Sequence, residues 1–482
     1  MTTTLAPQEV GHLIGGEWVG SGTAERYNPA HPGELVSVTA VGDASTVEAA
    51  VAAAKAAQPE WSNRTGPARA AVLTRAAELL TARADRVAVD LVREEGKTLT
   101  EATGEVQRAA EVLRFFGAAC WRADGETLPS ATPFTAVYTR REPLGVVGVI
   151  TPWNFPIAIP SWKIAPALAA GNTVVAKPAQ LTTLSTRRLA ECLAEAGLPA
   201  GVLNLVHGSG ALVGEALVAH PDVAAVSFTG SGPVGRRIHG LASERMARVQ
   251  LEMGGKNPLV VLDDADPVRA ATIAAAGGFG LTGQACTATS RLIVTPRILD
   301  AVVDELANIA VRRYLPGDGL DPEAQMGPVV SDGQLTSNLR YLELAKAEGG
   351  DVVTGAHAAQ GLYQTPAIVT GVTSGHTLAR EEVFGPVVAV MAVNDLDEAI
   401  AVANDVPFGL SAGVVTNDLR AAHQFAAQIA AGVVKVNRPT SGLGLNVPFG
   451  GIKESSTNTY REQGQGALDF YTWTKSVYVG ID

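Results

Sequence analysis

Short apolar runs alternate with longer amphipathic segments along most of the chain. The runs at 145–150 and 173–177 are bounded by Gly, Pro or Asn, which is typical of buried strands. Helical spacing of apolar positions follows each of them. The alternation continues through predicted helices at 158–170, 183–196, 210–219 and 233–242 and predicted strands at 202–206, 223–229 and 247–252. This order predicts an α/β fold with a Rossmann-like parallel sheet covered by helices.

The same alternation resumes after residue 258. Helices are predicted at 266–282, 298–313, 335–348, 395–404 and 418–431, and strands at 289–295, 386–393, 411–415 and 433–436. The Gly-rich stretch from Met253 to Pro258 is the best candidate for a domain crossing. Ala-, Arg- and Glu-rich segments at 44–58 and 67–114 have helical spacing.

Two segments stand outside the alternating units. Residues 132–142 and 467–479 have strand-like patterns, and they could pair as an additional sheet at an edge of the molecule. An unpaired sheet edge favours association with a partner chain.

The amino-acid composition argues against several classes of protein. Of 482 residues, 46% are hydrophobic and 18% charged, which excludes disorder as the main state. The net charge of −11 argues against nucleic acid as a partner. There is no apolar run of about 20 residues and no basic start before one, so neither a membrane span nor a secretory signal is expected. Three cysteines are too few for a disulfide framework, and the eight histidines lack metal-ligand spacing. A cytoplasmic protein without a metal is predicted.

A Gly-rich turn joins a predicted strand to a predicted helix. Gly230-Ser231-Gly232-Pro233-Val234-Gly235 fits G-x-G-x-x-G, and a helix N-terminus there would favour a phosphate. Glu252 follows Gly230 by 22 residues, close to the spacing at which the dinucleotide fingerprint places an acid on the ribose. A standard Rossmann dehydrogenase would use Glu252 in that way. The alternative is an ordinary tight turn with no ligand.

Six further motifs resemble the aldehyde dehydrogenase superfamily. They are T-P-W-N-F-P (151–156), K-P-A (177–179), L-E-M-G-G-K (251–256), G-Q-A-C-T (283–287), E-V-F-G-P (382–386) and P-F-G-G (448–451). They occur in the family's order, and the similarity extends from about residue 12 to the C-terminus. The resemblance implies an NAD(P)-dependent enzyme that acts on a small aldehyde.

The resemblance assigns catalytic roles to four residues. Cys286 would be the nucleophile, because a thiolate forms a tetrahedral adduct that can release a hydride. The Asn154 amide and the Cys286 backbone N–H would stabilise the adduct's oxyanion. Glu252 would activate the water that hydrolyses the thioester, which conflicts with its Rossmann role above. Lys177 is expected to be a catalytic residue as well, and it would hydrogen-bond the ribose hydroxyls of the cofactor. Cys120 and Cys192 are expected to be structural.

The resemblance also implies a cofactor site. Ser231 would meet the pyrophosphate, Glu382 the nicotinamide ribose, Phe384 the nicotinamide and Trp153 the phosphates. The remaining expected cofactor residues are Thr151, Ala179, Gly230 and Met253. Gln180 stands where NAD-preferring relatives often carry Glu. Because a neutral amide does not repel a 2′-phosphate, Gln180 predicts dual or NADP-leaning use.

The substrate prediction is broader. The segments around 154–175, 251–266 and 447–475 look most like the branch of 2-oxoglutarate semialdehyde dehydrogenases. Phe155, Trp162, Thr287 and Phe449 are the expected pocket residues, and the aromatic ones predict an apolar wall. Trp162 replaces the Arg that succinate-semialdehyde enzymes often carry. Arg108 and Arg438 remain possible pocket cations. A broad-range aldehyde dehydrogenase and a non-catalytic structural relative are the alternatives.

The resemblance divides the chain into three parts. A cofactor domain would comprise 1–120 and 143–254, to which 441–465 return. A catalytic domain would comprise 255–440. Residues 121–142 and 466–482 would form an oligomerisation sheet, which predicts a homodimer or homotetramer.

Overall fold

The computed structural model describes residues 6–122, 125–355 and 360–480. The helices are α1 Ala44–Asn63, α2 Gly66–Ala82, α3 Ala84–Glu95, α4 Leu99–Ala119, α5 Ala158–Ala169, α6 Thr183–Glu195, α7 Glu215–Ala219, α8 Gly232–Ser243, α9 Pro267–Phe279, α10 Leu299–Arg313, α11 Asp332–Ala347, α12 Thr377–Arg380, α13 Leu396–Asn404, α14 Leu419–Gln428 and α15 Ala467–Tyr471.

The strands are β1 Gln8–Val10, β2 His12–Ile14, β3 Glu17–Val19, β4 Gly22–Tyr27, β5 Leu35–Ala40, β6 Thr127–Leu128, β7 Thr135–Pro143, β8 Val146–Ile150, β9 Thr173–Lys177, β10 Leu203–Leu205, β11 Val223–Gly230, β12 Arg248–Met253, β13 Pro258–Val261, β14 Arg291–Val294, β15 Asp351–Thr354, β16 Ala367–Thr370, β17 Val387–Ala392, β18 Phe408–Gly409, β19 Ser411–Val415, β20 Val433–Val436, β21 Ile452–Lys453 and β22 Thr472–Gly480.

Two seven-stranded sheets form the centre of the molecule. The first has the order β12-β11-β8-β9-β10-β2-β3, and its first five strands are parallel. The second has the order β15-β16-β17-β14-β13-β19-β20 and is parallel apart from β15. In chain order, residues 254–257 connect β12 of the first sheet directly to β13 of the second. The α/β fold class predicted from the alternation is confirmed.

The registers bring four strand ends to one edge of the first sheet. Ile150 pairs with Lys177 and with Phe228, and Thr229 pairs with Glu252. The segments that leave β8, β9, β11 and β12 therefore start side by side. In open parallel sheets, the carboxyl edge is where ligands bind.

The region of helical spacing at 67–114 is helical but divided, and the start of one predicted strand is wrong. The helical region consists of α2, α3 and α4; the break between α3 and α4 arises because Gly96 at φ +104° is the C-cap of α3 and Thr98 is the N-cap of α4, with a capping box to Glu101. The predicted strand 467–479 begins as the helix α15. Its Ala467, Leu468, Phe470 and Tyr471 are all buried, so no alternation of buried and exposed positions distinguishes it.

The small third sheet has the order β22-β7-β6. β7 and β22 pair antiparallel along nine residues each, from Thr472 opposite Pro143 to Gly480 opposite Thr135. The predicted segments 132–142 and 467–479 thus meet in one sheet, although α15 takes the first part of the second segment.

Candidate active site

The Gly-rich turn lies at the carboxyl edge of the first sheet. Gly230 ends β11, Ser231 is the residue before α8, and the Ser231 side chain makes no capping bond. The N–H groups of Gly232 and Val234 in the first turn of α8 have no partner within the helix, whereas Pro233 has no N–H, so these two can face a ligand and the helix dipole adds positive potential. A Cβ at Gly235 would lie 2.4 Å from Met253 Sδ, so this glycine allows α8 to pack closely on β12.

A cavity of about 810 Å³, counting its open mouth, lies beside this turn. We call it the Ser231 cavity; it is lined by Pro152, Trp153, Asn154, Ile159, Thr229, Gly230, Ser231, Met253, Gly254, Cys286, Gln334, Ser337, Glu382, Val383 and Phe384. Most of the cofactor residues expected from sequence are in this set.

Glu382 is fixed against the backbone at this cavity. Its Oε1 accepts from the Gly255 N–H at 3.0 Å, and a Cβ at Gly254 would lie 2.0 Å from Oε2. Burial raises the pKa of Glu382 to about 7. Nearby, the rings of Trp153 and Phe384 pack edge to face at 5.4 Å. Together these features fit a dinucleotide. The first turn of α8 suits its phosphates, Glu382 beside Gly254 and Gly255 suits a ribose, and the Trp153–Phe384 pair suits a flat ring.

Four expected cofactor residues do not line the cavity. Thr151 is buried after β8, and Lys177 ends β9 with its Nζ 3.3 Å from the Pro178 carbonyl oxygen. Burial lowers the pKa of Lys177 to about 8. Ala179 is half-buried, and the exposed Gln180 begins a 3₁₀ turn.

A second cavity, of about 970 Å³ including its mouth, lies on another side of Cys286. We call it the Trp162 cavity; it is lined by Glu101, Gly104, Glu105, Arg108, Phe155, Ala158, Trp162, Leu281, Ala285, Cys286, Thr287, Ser441, Gly442 and Leu443. Phe155, Trp162 and Thr287 are therefore brought together as expected. Phe449 lies behind, with its ring 6.2 Å from that of Trp162.

Cys286 lines both cavities. It follows a strained connection in which Leu281, Thr282 and Gly283 all have positive φ, and a Cβ at Gly283 would lie 2.2 Å from the Gly385 carbonyl oxygen. The Cys286 carbonyl accepts from Asn257 Nδ2 at 2.8 Å. Burial, followed by the charges of nearby carboxylates, raises the pKa of the thiol. Cys192 is buried and Cys120 lines a single other cavity, so Cys286 is the cysteine that lies between two cavities.

Asn154 lies beside the cysteine loop. Its Nδ2 donates to the Gln284 carbonyl at 2.9 Å, and its own carbonyl accepts from Lys97 Nζ at 2.7 Å. The side chain is 4% exposed and lines the Ser231 cavity together with Cys286. An amide nitrogen has two protons, so the second remains for a ligand oxygen at the thiol.

Glu252 is buried close to the cysteine but does not line either cavity. Its Oε2 accepts from the Gly451 N–H at 3.2 Å, and its Oε1 has no hydrogen-bond partner among the described residues. A Cβ at Gly450 would lie 2.4 Å from that oxygen. Burial is the main cause that raises the pKa of Glu252, and the charge of Glu462 adds to it.

Two residues of this region were not identified from the sequence. Lys163 Nζ forms an ion pair with Glu462 and donates to Ser227 Oγ at 2.9 Å, and both charged side chains are fully buried. Lys163 stands in the otherwise apolar helix α5, and this isolated charge is the signal that sequence reasoning could have used. Glu462 carries no comparable signal.

Metal chemistry has no evident site in the described ranges. No group of three or more His, Cys, Asp or Glu side chains there is placed to hold an ion. No helix within those ranges has the length and apolar character that a membrane crossing requires.

Comparison with known proteins identifies close relatives. The sequence model described as the aldehyde dehydrogenase family matches residues 18–477. An alpha-ketoglutarate semialdehyde dehydrogenase of Haloferax volcanii is 48% identical, with 97% of this chain and 98% of the relative covered. A 2,5-dioxopentanoate dehydrogenase of Saccharolobus solfataricus is 45% identical, with 96% and 98% covered. A betaine aldehyde dehydrogenase of Cereibacter sphaeroides is 44% identical, with 94% and 93% covered.

Solved structures show the same architecture. The NAD-dependent aldehyde dehydrogenase from Sinorhizobium meliloti superimposes with a TM-score of 0.95 at 35% identity, covering 98% of this chain and 95% of that one. An NADP-dependent enzyme from E. coli gives a TM-score of 0.95 at 34% identity, with 98% of each chain covered.

Proposed function

The chain belongs to the aldehyde dehydrogenase family, whose members oxidise aldehydes with NAD or NADP, and from that premise we propose that Cys286 is its nucleophile. The observation that carries the proposal is the position of Cys286 between two cavities. The Ser231 cavity would receive the dinucleotide, and the Trp162 cavity would receive the aldehyde. Both reactants then meet at one sulfur.

Formation of the adduct needs a base and an oxyanion site. Because the pKa of the Cys286 thiol is raised, its proton must pass to another group as the sulfur attacks the carbonyl carbon. The resulting oxyanion accepts from Asn154 Nδ2 and the Cys286 N–H. A nicotinamide held beside Trp153, Phe384 and Glu382 would supply the hydride acceptor. Loss of the hydride from the former carbonyl carbon leaves a thioester on Cys286.

Hydrolysis of the thioester is assigned to Glu252. A carboxylate whose pKa is raised by burial is a stronger base than an ordinary glutamate. It removes one proton from water as the water oxygen attacks the acyl carbon; the C–S bond then breaks, the second water proton passes to the sulfur, and the carboxylate and the free thiol are released. The buried Lys163–Glu462 pair lies next to Glu252, and we assign it the role of carrying the proton away.

For the substrate, we propose 2-oxoglutarate semialdehyde. Relatives named for this activity are 48% and 45% identical to the chain along nearly all of their length. The apolar surfaces of Phe155 and Trp162 favour a broad-range aldehyde dehydrogenase as the second candidate. A panel of 2-oxoglutarate semialdehyde, pentanal and betaine aldehyde, each with NAD and with NADP, tests the proposal. We expect the highest kcat/KM for the semialdehyde, and equal values for pentanal would support the broad-range enzyme instead.

The cofactor preference is proposed from Gln180. Its exposed amide carries no charge that would repel a 2′-phosphate, so we propose that NADP is used as well as NAD. The roles of Thr151, Lys177 and Ala179 at the cofactor are likewise proposed, because they lie at the ends of β8 and β9, at the same edge of the sheet as Ser231. The same panel measures the preference directly.

We propose that the small sheet joins subunits into a homodimer or homotetramer. β22 is the outer strand of that sheet, and Phe134 and Tyr478 beside its pairing with β7 are 72% and 71% exposed. Light scattering coupled to size exclusion tests this, and a monomer would contradict it. The three-part domain division and a cytoplasmic location remain part of the proposal.

A further inference from the structure

Three charged side chains line the Trp162 cavity among the described residues, namely Glu101, Glu105 and Arg108. Their hydrogen bonds show which of them is available to a substrate. Glu105 is fully engaged by the protein. Its Oε2 accepts from Lys97 Nζ at 2.6 Å, and its Oε1 accepts from the N–H groups of Ile157 and Ala158 at 2.9 and 3.1 Å.

Glu101 is engaged in the same way. Its Oε2 accepts from the Thr98 N–H and hydroxyl, both at 2.9 Å, which completes the capping box of α4. Its Oε1 accepts from the Leu281 N–H at 2.7 Å, in the loop before Cys286. Both acids therefore serve as structural anchors for backbone groups.

Arg108 differs from the two acids. Its Nη2 donates to Gln463 Oε1 at 2.6 Å, whereas its Nε and Nη1 have no acceptor in the part of the chain that the structure describes. A guanidinium has five N–H donors in a planar fork, so most of them remain for a ligand. Glu111, the acid whose charge acts on Arg108, is exposed and therefore well screened by water.

The partner of Arg108 is neutral. Gln463 is fully buried, directly after Glu462, so packing restricts its side chain, and its Nε2 has no hydrogen-bond partner among the described residues. An amide oxygen orients the guanidinium without cancelling its charge, as a carboxylate would. The cavity thus keeps one positive charge that no described acid pairs with. Arg438, the other cation considered from sequence, is exposed and does not line the cavity.

We propose that Arg108 binds the carboxylate of the semialdehyde substrate and that Gln463 is the positioning residue that holds the guanidinium for it. The inference rests on the proposed function, because it requires an anionic aldehyde in the Trp162 cavity. A carboxylate matches the guanidinium fork with two parallel hydrogen bonds. The same charge opposes a trimethylammonium aldehyde, so Arg108 would separate this enzyme from relatives named for betaine aldehyde.

The test compares Arg108→Gln and Arg108→Lys with wild type on 2-oxoglutarate semialdehyde and on pentanal, at saturating cofactor. For Arg108→Gln we expect KM for the semialdehyde to rise at least about tenfold, since a charge-assisted bond is lost. The change for pentanal should be at least about tenfold smaller than that, because pentanal has no carboxylate. Arg108→Lys should recover part of the loss. Arg114→Gln, on the same helix with its guanidinium bonded to Thr81, is the matched control and should behave as wild type.

Gln463→Met tests the positioning role. It keeps the length of the side chain and removes the acceptor, so KM for the semialdehyde should rise while kcat for pentanal stays near its wild-type value.

The outcomes separate the two proposals. If Arg108→Gln and Arg108→Lys both lose the same share of kcat/KM on the semialdehyde and on pentanal, Arg108 has a structural role and the inference is overturned. A wild-type enzyme that does not prefer the semialdehyde to pentanal would overturn the proposed substrate. A wild-type preference that survives Arg108→Gln would leave the substrate standing and refute the role of Arg108.

Discussion

Lys163 and Glu462 form an ion pair between two fully buried side chains that are 299 positions apart in the sequence. Their charges act in opposite directions on the pKa of Glu252, which Glu462 raises and Lys163 lowers. Removal of either partner would leave the other charge buried and uncompensated. The pair therefore contributes to stability as well as to the electrostatics of the proposed base.

Glu462→Gln should destabilise the fold. Breaking a buried pair costs about 3–5 kcal/mol, because the remaining charge stays desolvated. We expect a fall in the thermal unfolding temperature at pH 7.5, followed by circular dichroism. Glu454→Gln is the control, since Glu454 pairs with Arg236 at 3.0 Å on the surface and exposed pairs contribute little. Equal unfolding temperatures for Glu462→Gln and the control would show that the buried pair is not stabilising.

Glu252→Gln should separate the two chemical steps. The amide keeps the size of the side chain but cannot accept a proton from water, so turnover should fall by roughly 10²–10⁴-fold. The first formation of reduced cofactor precedes hydrolysis, and its rapid burst should remain. Stopped-flow absorbance of the reduced cofactor measures both.

The same experiment decides the role of Glu252. If Glu252 held the cofactor ribose, as in a standard Rossmann enzyme, the variant would raise KM for NAD or NADP and leave turnover at saturation little changed. That result would contradict the assignment of Glu252 as base.

Two features predicted from the sequence agree with the structure. The turn at Gly230 does join a strand to a helix, and Phe155, Trp162 and Thr287 do line one cavity with Cys286. The first prediction depends on a short motif whose geometry is local, whereas the second joins distant segments and came from the family resemblance. The family resemblance, rather than periodicity, supplied the roles of Cys286 and Glu252.

Contacts between distant segments were not accessible in this way. Glu462 contacts Lys163, and Gln463 contacts Arg108, because residues after 440 return to the part of the molecule that contains the first sheet. Likewise, Phe449 was expected in the pocket wall but packs behind Trp162. Side-chain pairing across more than 200 residues depends on the tertiary fold, which no spacing rule describes.

Alkylation of Cys286 should depend strongly on pH. Burial and neighbouring carboxylates raise the pKa of its thiol, so the neutral thiol is favoured and the reactive thiolate is scarce near pH 7. The rate with iodoacetamide should therefore still be rising above the ordinary thiol pKa of about 8.5. Peptide mass spectrometry of the cofactor-free protein measures the rate at each pH. A plateau below that value would contradict the raised pKa.

Gln180→Glu should shift the enzyme towards NAD. The exposed glutamate would repel a 2′-phosphate, whereas it could accept from the 2′-hydroxyl of NAD. We expect kcat/KM with NADP to fall at least about tenfold, from charge repulsion at close range, and kcat/KM with NAD to stay equal or rise. Gln428→Glu, which adds the same charge at the exposed end of α14, is the control and should leave both values unchanged. Because the repulsion is electrostatic, higher salt should reduce the loss with NADP. An equal loss with both cofactors would instead show that Gln180 does not distinguish the 2′ position.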